Sequence, residues 1–156
     1  MAQTITGSEP IHAGGMEIRF LVEPDESGGS VSVFRCDLPS GSRNPAPHSH
    51  DAFDETVYGL TGVTTWTLDG APTDIGPGDV VFIPRGTVHG FAVAGDEHAA
   101  VLCVATPGAF GPAYFRDIAD VMNAAKEGPP DLAAIIEVMK RHGLTPAPPA
   151  GLRQGA

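Results

Sequence analysis

Pro47-His48-Ser49-His50-Asp51-Ala52-Phe53-Asp54-Glu55 and Pro84-Arg85-Gly86-Thr87-Val88-His89 are the two stretches that decide the fold. Between them they carry three imidazoles and one carboxylate, a donor set suited to a divalent metal ion. His48 and His50 are two residues apart. On a strand that spacing points both rings to one face, whereas a helix would need a spacing of three or four. The flanks are rich in Pro and β-branched residues, which also favours strands. A strand presenting His48 and His50 leaves room for Glu55 and His89 to complete one side of an octahedral or distorted tetrahedral site.

Outward from these stretches the chain reads as short strands and turns. Met16 to Val22 alternates, and Pro24 to Gly29 is a turn cluster. Ser30 to Leu38 places Phe34, Cys36 and Leu38 on one face and Val31, Val33 and Arg35 on the other. Glu55 to Leu60 and Val63 to Leu68 are joined across Thr61-Gly62, and Asp69-Gly70 is a hairpin signal. Gly76 to Asp79 turns the chain into Val80 to Ile83, Thr87 to Val93 carries His89, and Ala99 to Ala105 is a nearly continuous apolar run. Strands and turns at this spacing predict an all-β sandwich or barrel.

The last third changes character. Gly111-Pro112 predicts a helix start, with Ala113 to Lys126 helix-prone and Glu127 to Pro130 ending it. Asp131 is placed to cap a second helix that ends near His142-Gly143. Leu132, Ile135, Ile136 and Met139 form its apolar stripe, to be buried on the barrel or across a dimer. Thr145 to Ala156 is Pro/Gly-rich and predicts a mobile tail. The expected division is residues 1–110 as a barrel and 111–156 as a helical extension and tail of the same domain.

Composition narrows the function classes. Nine Lys and Arg stand against 19 Asp and Glu, a net charge of −10, so a phosphate backbone is repelled and nucleic acid is not an expected partner. No apolar run approaches the ~18 residues a membrane helix needs. The start of the chain lacks a basic segment followed by an apolar one, so no secretory leader and a cytoplasmic location are expected. Cys36 and Cys103 have no CxxC partner and read as small buried hydrophobes.

The two stretches resemble, in order, the paired motifs of the cupin superfamily. In the first motif His48-x-His50 is followed by four residues and Glu55, then six residues and Gly62. Gly41 stands one residue farther from His48 than the family pattern has it. In the second, Gly78, Pro84, Gly86 and His89 match in full spacing, and Val93 replaces the terminal Asn. The resemblance covers residues 40–95 by motif and 16–106 by strand pattern. It implies a double-stranded β-helix, a jelly-roll barrel, with the helical segment appended.

It further implies that His48, His50, Glu55 and His89 hold one divalent transition metal ion (Fe, Mn, Ni, Co or Zn). Phe20-Leu21-Val22 before a Gly-Gly turn, the Pro-rich approach to His48, and Thr106-Pro107-Gly108 before a helical tail are similar to single-barrel members of the quercetin dioxygenase type. That likeness implies a dioxygenase-like oxidoreductase acting on a small oxygenated enol, diol or aromatic compound, with Glu55 also serving as base. A metal-containing binding module without turnover and a cupin isomerase or cyclase remain as alternatives. Alternation sends Val57 to the side of Glu55 and Phe91 to the side of His89. These two, with Phe34 and Trp66, are the expected ligand contacts. Phe20, Phe110, Tyr114 and Phe115 are further candidates for the pocket wall, where the ordinary role of an aromatic ring is core packing. A homodimer formed through an N-terminal strand, the helical tail or both is expected, because an open jelly roll has edges to cover.

Overall fold

In the computed structural model, which describes residues 2–147, the alternating segments become two antiparallel sheets. In chain order the strands are β1 (Ile11–Ala13), β2 (Met16–Val22), β3 (Ser32–Leu38), β4 (His48–His50), β5 (Asp54–Thr61), β6 (Thr64–Leu68), β7 (Ala71–Ile75), β8 (Val80–Ile83), β9 (His89–Ala92), β10 (Ala99–Thr106) and β11 (Leu144–Pro146). The helices are α1 (Pro112–Ala124) and α2 (Leu132–Arg141). One sheet runs β1-β2-β3-β10-β5-β8 and the other β11-β4-β9-β6-β7.

The apolar run at β10 explains its position. It pairs with β3 on one side and β5 on the other, Val101 opposite Cys36 and Cys103 opposite Val57. A strand paired on both edges, buried on one face and half-buried at Leu102 and Val104 on the other, carries no polar alternation. On β3, Phe34, Cys36 and Leu38 are buried and Arg35 is exposed, as alternation predicts. Asp69 and Gly70 both have positive φ, 46° and 86°. That pair of conformations makes the tight hairpin between β6 and β7. Thr61-Gly62 is a different kind of link. β5 and β6 lie in different sheets, so this turn carries the chain across the sandwich.

Several elements differ from the sequence reading. β1, β7 and β11 form where alternation gave no signal. Thr145 and Pro146 belong to β11, which pairs with β4, so the expected tail does not begin at Thr145; its residues 148–156 lie outside the described residues. Asp131 does cap α2, its carboxylate accepting from the Ala134 N–H at 3.2 Å. The buried stripe of α2, however, is Ile135, Val138 and Met139, while Leu132 is 53% exposed. Leu132 is the first residue of the helix and overhangs the barrel. The stripe is covered by the chain itself. Its residues join one hydrophobic cluster with Phe20 and Leu38 of the first sheet, Trp66 of the second, and Ile118 of α1. Asn123 on α1 ties that helix to β1 by accepting from Gly14 N–H at 3.0 Å and donating to His12 O at 2.8 Å. Among the described residues no helix is long and apolar enough to cross a membrane.

Candidate metal centre

β4 and β9 are adjacent antiparallel strands, and His48 lies directly opposite His89 in their register. With His50 two residues along β4, three imidazoles share one inward face. Their ring centroids are 4.5–5.2 Å apart, and one nitrogen of each lies within 4.8 Å of the other two. Glu55 approaches from β5 in the opposite sheet. Its Oε2 is 3.5 Å from His89 Nε2 and 3.7 Å from His50 Nδ1. The sandwich therefore brings together all four residues named from the motifs. The three histidines form the tight group and Glu55 stands against two of them.

The ring orientations are fixed from behind. His48 Nδ1 lies 2.9 Å from Ala46 O, and His89 Nδ1 lies 2.9 Å from Thr87 O. A carbonyl only accepts, so each Nδ1 carries a proton and Nε2 is the nitrogen of each ring left for the centre. His50 Nδ1 has no hydrogen-bond partner, and it is the sealed, unpartnered side-chain polar atom among the described residues. A buried polar atom without a partner is costly and calls for an explanation. A cation between the rings supplies one, so the residues fit a bound metal ion. Phe53 holds His50 from the other side, its ring stacked on the imidazole at 4.1 Å and 22°. Nothing in the sequence marked Phe53, because it sits in the loop between β4 and β5, where no periodicity applies.

The second motif is tied to the first by its turn. Gly86, at φ +82°, donates its N–H to His50 O at 2.9 Å. The positive φ is why the position favours Gly. Asp54 accepts from Arg85 N–H at 2.9 Å and from the guanidinium at 3.1 Å and 3.3 Å. Asp54 faces away from the cluster, as alternation predicts, and anchors the loop that leads into β9. Val93, where the motif has Asn, is buried and pairs through its backbone with Gly41 and Ser42.

Charge follows burial. Desolvation, then repulsion from His89 and His50, lowers His48 to about 3. Desolvation lowers His50 to about 4. Both are neutral at pH 7, the form a metal requires. Burial alone would push Glu55 up. The hydrogen bond accepted from His89, and then the attraction of the surrounding imidazoles, outweigh it, so the carboxyl sits below its ordinary value. Burial also opposes a charge on His89, but the Glu55 carboxylate wins and holds its pKa up. Cys103, on the cavity wall, is pushed well above its ordinary value, first by its hydrogen bond with Cys36 and then by burial, so it stays a thiol.

Beside the cluster lies a cavity of about 80 Å³. Phe34, Trp66 and Phe91, three of the four expected ligand contacts, line it with Met16, Phe110 and Phe115. Val57 does not line it. It is fully buried two residues beyond Glu55, packed between Cys103 on β10 and Val81 on β8. Strand alternation gave it the right face, but the cavity stops short of it. Met16 and Ile18 on β2 belong to the wall and were not read from the sequence.

Comparison with known proteins agrees with this architecture. The cupin domain family matches residues 34–105. An uncharacterized protein from Methanocaldococcus jannaschii is 31% identical over 94 residues, 60% of this chain and 74% of that protein. Quercetin 2,3-dioxygenase from Bacillus subtilis is 32% identical over 103 residues, 65% of this chain. The chain spans only 29% of that enzyme's length. The solved structure of KdgF from a Halomonas species superposes with a TM-score of 0.60 at 17% identity, covering 69% of this chain and 94% of that one. The chain belongs to the cupin superfamily.

Proposed function

We propose that this cupin is a metal-dependent, dioxygenase-like oxidoreductase acting on a small oxygenated organic compound. In this reading His48, His50, His89 and Glu55 hold one divalent transition ion, of Fe, Mn, Ni, Co or Zn. The observation that carries it is the convergence of three buried imidazoles on one point, with His50 Nδ1 left unpartnered there. The likeness to the Bacillus quercetin dioxygenase supports the reaction class. Three neutral imidazoles and one carboxylate leave a divalent ion with positive charge and open positions. Such an ion would supply Lewis acidity and, for every candidate except redox-inert Zn, a redox centre for dioxygen.

The protein's own residues supply the rest. The apolar, aromatic wall excludes water and leaves the cluster as the main polar surface a ligand meets. Glu55, ionised and inside the pocket, is placed to accept a proton from a ligand enol or diol. Size limits the ligand. An apolar cavity of ~150 Å³ holds one benzene. About 80 Å³ is roughly half of that and argues against a fused polycycle.

The test is the metal content of protein purified without chelators, followed by oxygen uptake with a panel of small enols and catechols. One equivalent of metal with substrate-dependent oxygen uptake is expected. Stoichiometric metal without turnover would move the assignment to a binding module. Turnover without oxygen would move it to an isomerase or cyclase. Absence of metal in protein reloaded with Fe(II), Co(II) and Ni(II) would sink the reading.

A further inference from the structure

Tyr114 is the unexplained group in the pocket. It comes from the first turn of α1, outside both histidine motifs, and is 4% exposed. Its ring packs at 4.9 Å from Phe110, 5.1 Å from Phe115 and 5.7 Å from His142. Phe110 in turn lies 5.9 Å from His50, so one ring separates Tyr114 from the cluster. His142 is not free to take the hydroxyl through Nε2, which is 2.7 Å from Asp117 Oδ2.

The Tyr114 hydroxyl makes no hydrogen bond with any described residue. Nor is it a sealed orphan, since the atom in that condition is His50 Nδ1. It therefore keeps some accessible surface, and Tyr114 is one of the residues lining the cavity that holds His48, His50 and Glu55. A nearly buried phenol at a cavity wall is retained where something accepts its proton. The rest of that wall offers little competition, being mostly aromatic and aliphatic. Burial, and then the Glu55 charge, hold the phenol well above its ordinary value, so it keeps its proton and acts as donor.

We propose that Tyr114 donates a hydrogen bond to an oxygen of the ligand held at the histidine cluster, so that the pocket selects compounds with two neighbouring oxygens, at least one of them anionic. This rests on the metal reading above. The ion takes the oxygens from one side and Tyr114 takes one of them from the other. A ligand that offers no acceptor beyond its metal-binding atom gains nothing from the phenol.

The experiment uses full-length protein loaded with Co(II), whose visible bands report ligand exchange. Two probes are titrated into wild type and Tyr114→Phe. Acetohydroxamate presents two adjacent oxygens. Imidazole binds through one nitrogen and carries only a donor beyond it. A hydrogen bond to a charged acceptor predicts that Tyr114→Phe weakens acetohydroxamate at least ~10-fold and leaves imidazole within about twofold. Equal acetohydroxamate affinity in both proteins would overturn the proposal. So would equal weakening of both probes, which would make Tyr114 part of the wall and nothing more. Wild-type protein that takes up no Co(II) would remove the metal reading itself, an outcome distinct from the other two because it precedes either titration.

Discussion

Phe53 offers the sharpest test of how the centre is held. It is 2% exposed, stacks on His50 at 4.1 Å, and stacks on Phe110 at 5.0 Å. Phe53→Ala removes a buried phenyl, a change that costs about 3–5 kcal/mol in a packed core. Of that, each ring–ring contact accounts for about 0.5–1.5 kcal/mol beyond area burial. That is a large part of a total stability of about 5–15 kcal/mol, so a second, milder variant is needed beside it. Phe53→Leu keeps most of the volume and costs under about 1.5 kcal/mol, yet it removes the flat face against which His50 lies. If that face orients the imidazole, both variants lose affinity for metal by about 10–100-fold, the usual effect of losing an outer-shell support. Urea unfolding of metal-free protein, followed by the fluorescence of the single Trp66, gives the first quantity. Competition for Co(II) against a chelator of known affinity gives the second. Phe53→Ala destabilised as stated, with metal affinity unchanged in both variants, would refute the orienting role.

Four further outcomes follow from the same geometry. Glu55→Gln, reloaded with excess metal, is expected to lose turnover by ~10²–10⁴ if Glu55 is the base; full activity at full occupancy eliminates that role. His48 and His50 have folded-state values of about 3 and about 4, below the ordinary value of an unfolded chain. The unfolded state therefore binds more protons between these values and pH ~6.5, and metal-free stability falls on acidification through that window by about 1.4 kcal/mol per pH unit per imidazole; His89, whose value is raised, acts only above that window. A urea midpoint that rises from pH 7 to pH 5 contradicts it. Gly59→Ala drives a Cβ into the Gly76 carbonyl, where Gly59 also bonds Asp79 O at 2.9 Å, so thermal unfolding should drop by several degrees or the protein should fail to fold. The homodimer expected from the sequence is checked by sedimentation at micromolar concentration. Because the helical stripe is covered within the chain, the exposed Val80 and Phe82 on edge strand β8 are the place to probe it: Phe82→Glu should shift a dimer toward monomer.

The long alternating segments and both histidine motifs were readable because burial on one face of a sheet imposes a period of two. β3 and β10 carry that period or its fully apolar limit. β7 does not. Its residues Ala71-Pro72-Thr73-Asp74-Ile75 are mostly exposed on the edge of a sheet, where Pro72 costs no ladder bond. β11 has only Leu144 buried and exists because β4 needs a neighbour. Val57 and Leu132 were placed on the right periodic face, but periodicity says nothing about where a cavity ends or a helix overhangs. Phe53 is at the site through loop packing, a tertiary effect that no local pattern records, while Tyr114, a wall candidate in the sequence, reaches the cavity by the packing of α1.

The short strand that carries His48 and His50 is stitched on one edge to β11. Asp51 N–H donates to Gly143 O at 3.0 Å, and Thr145 Oγ1 donates to Asp51 Oδ1 at 2.7 Å across 94 residues of chain. During synthesis the histidine strand leaves the ribosome long before this neighbour does, and contacts of such separation close slowly. For that interval its edge is open to any sticky strand. Ordering of the pocket is thus a late event in the life of the nascent chain. A deletion reaching back past Pro146 would damage the histidine strand before it touched any other part of the barrel.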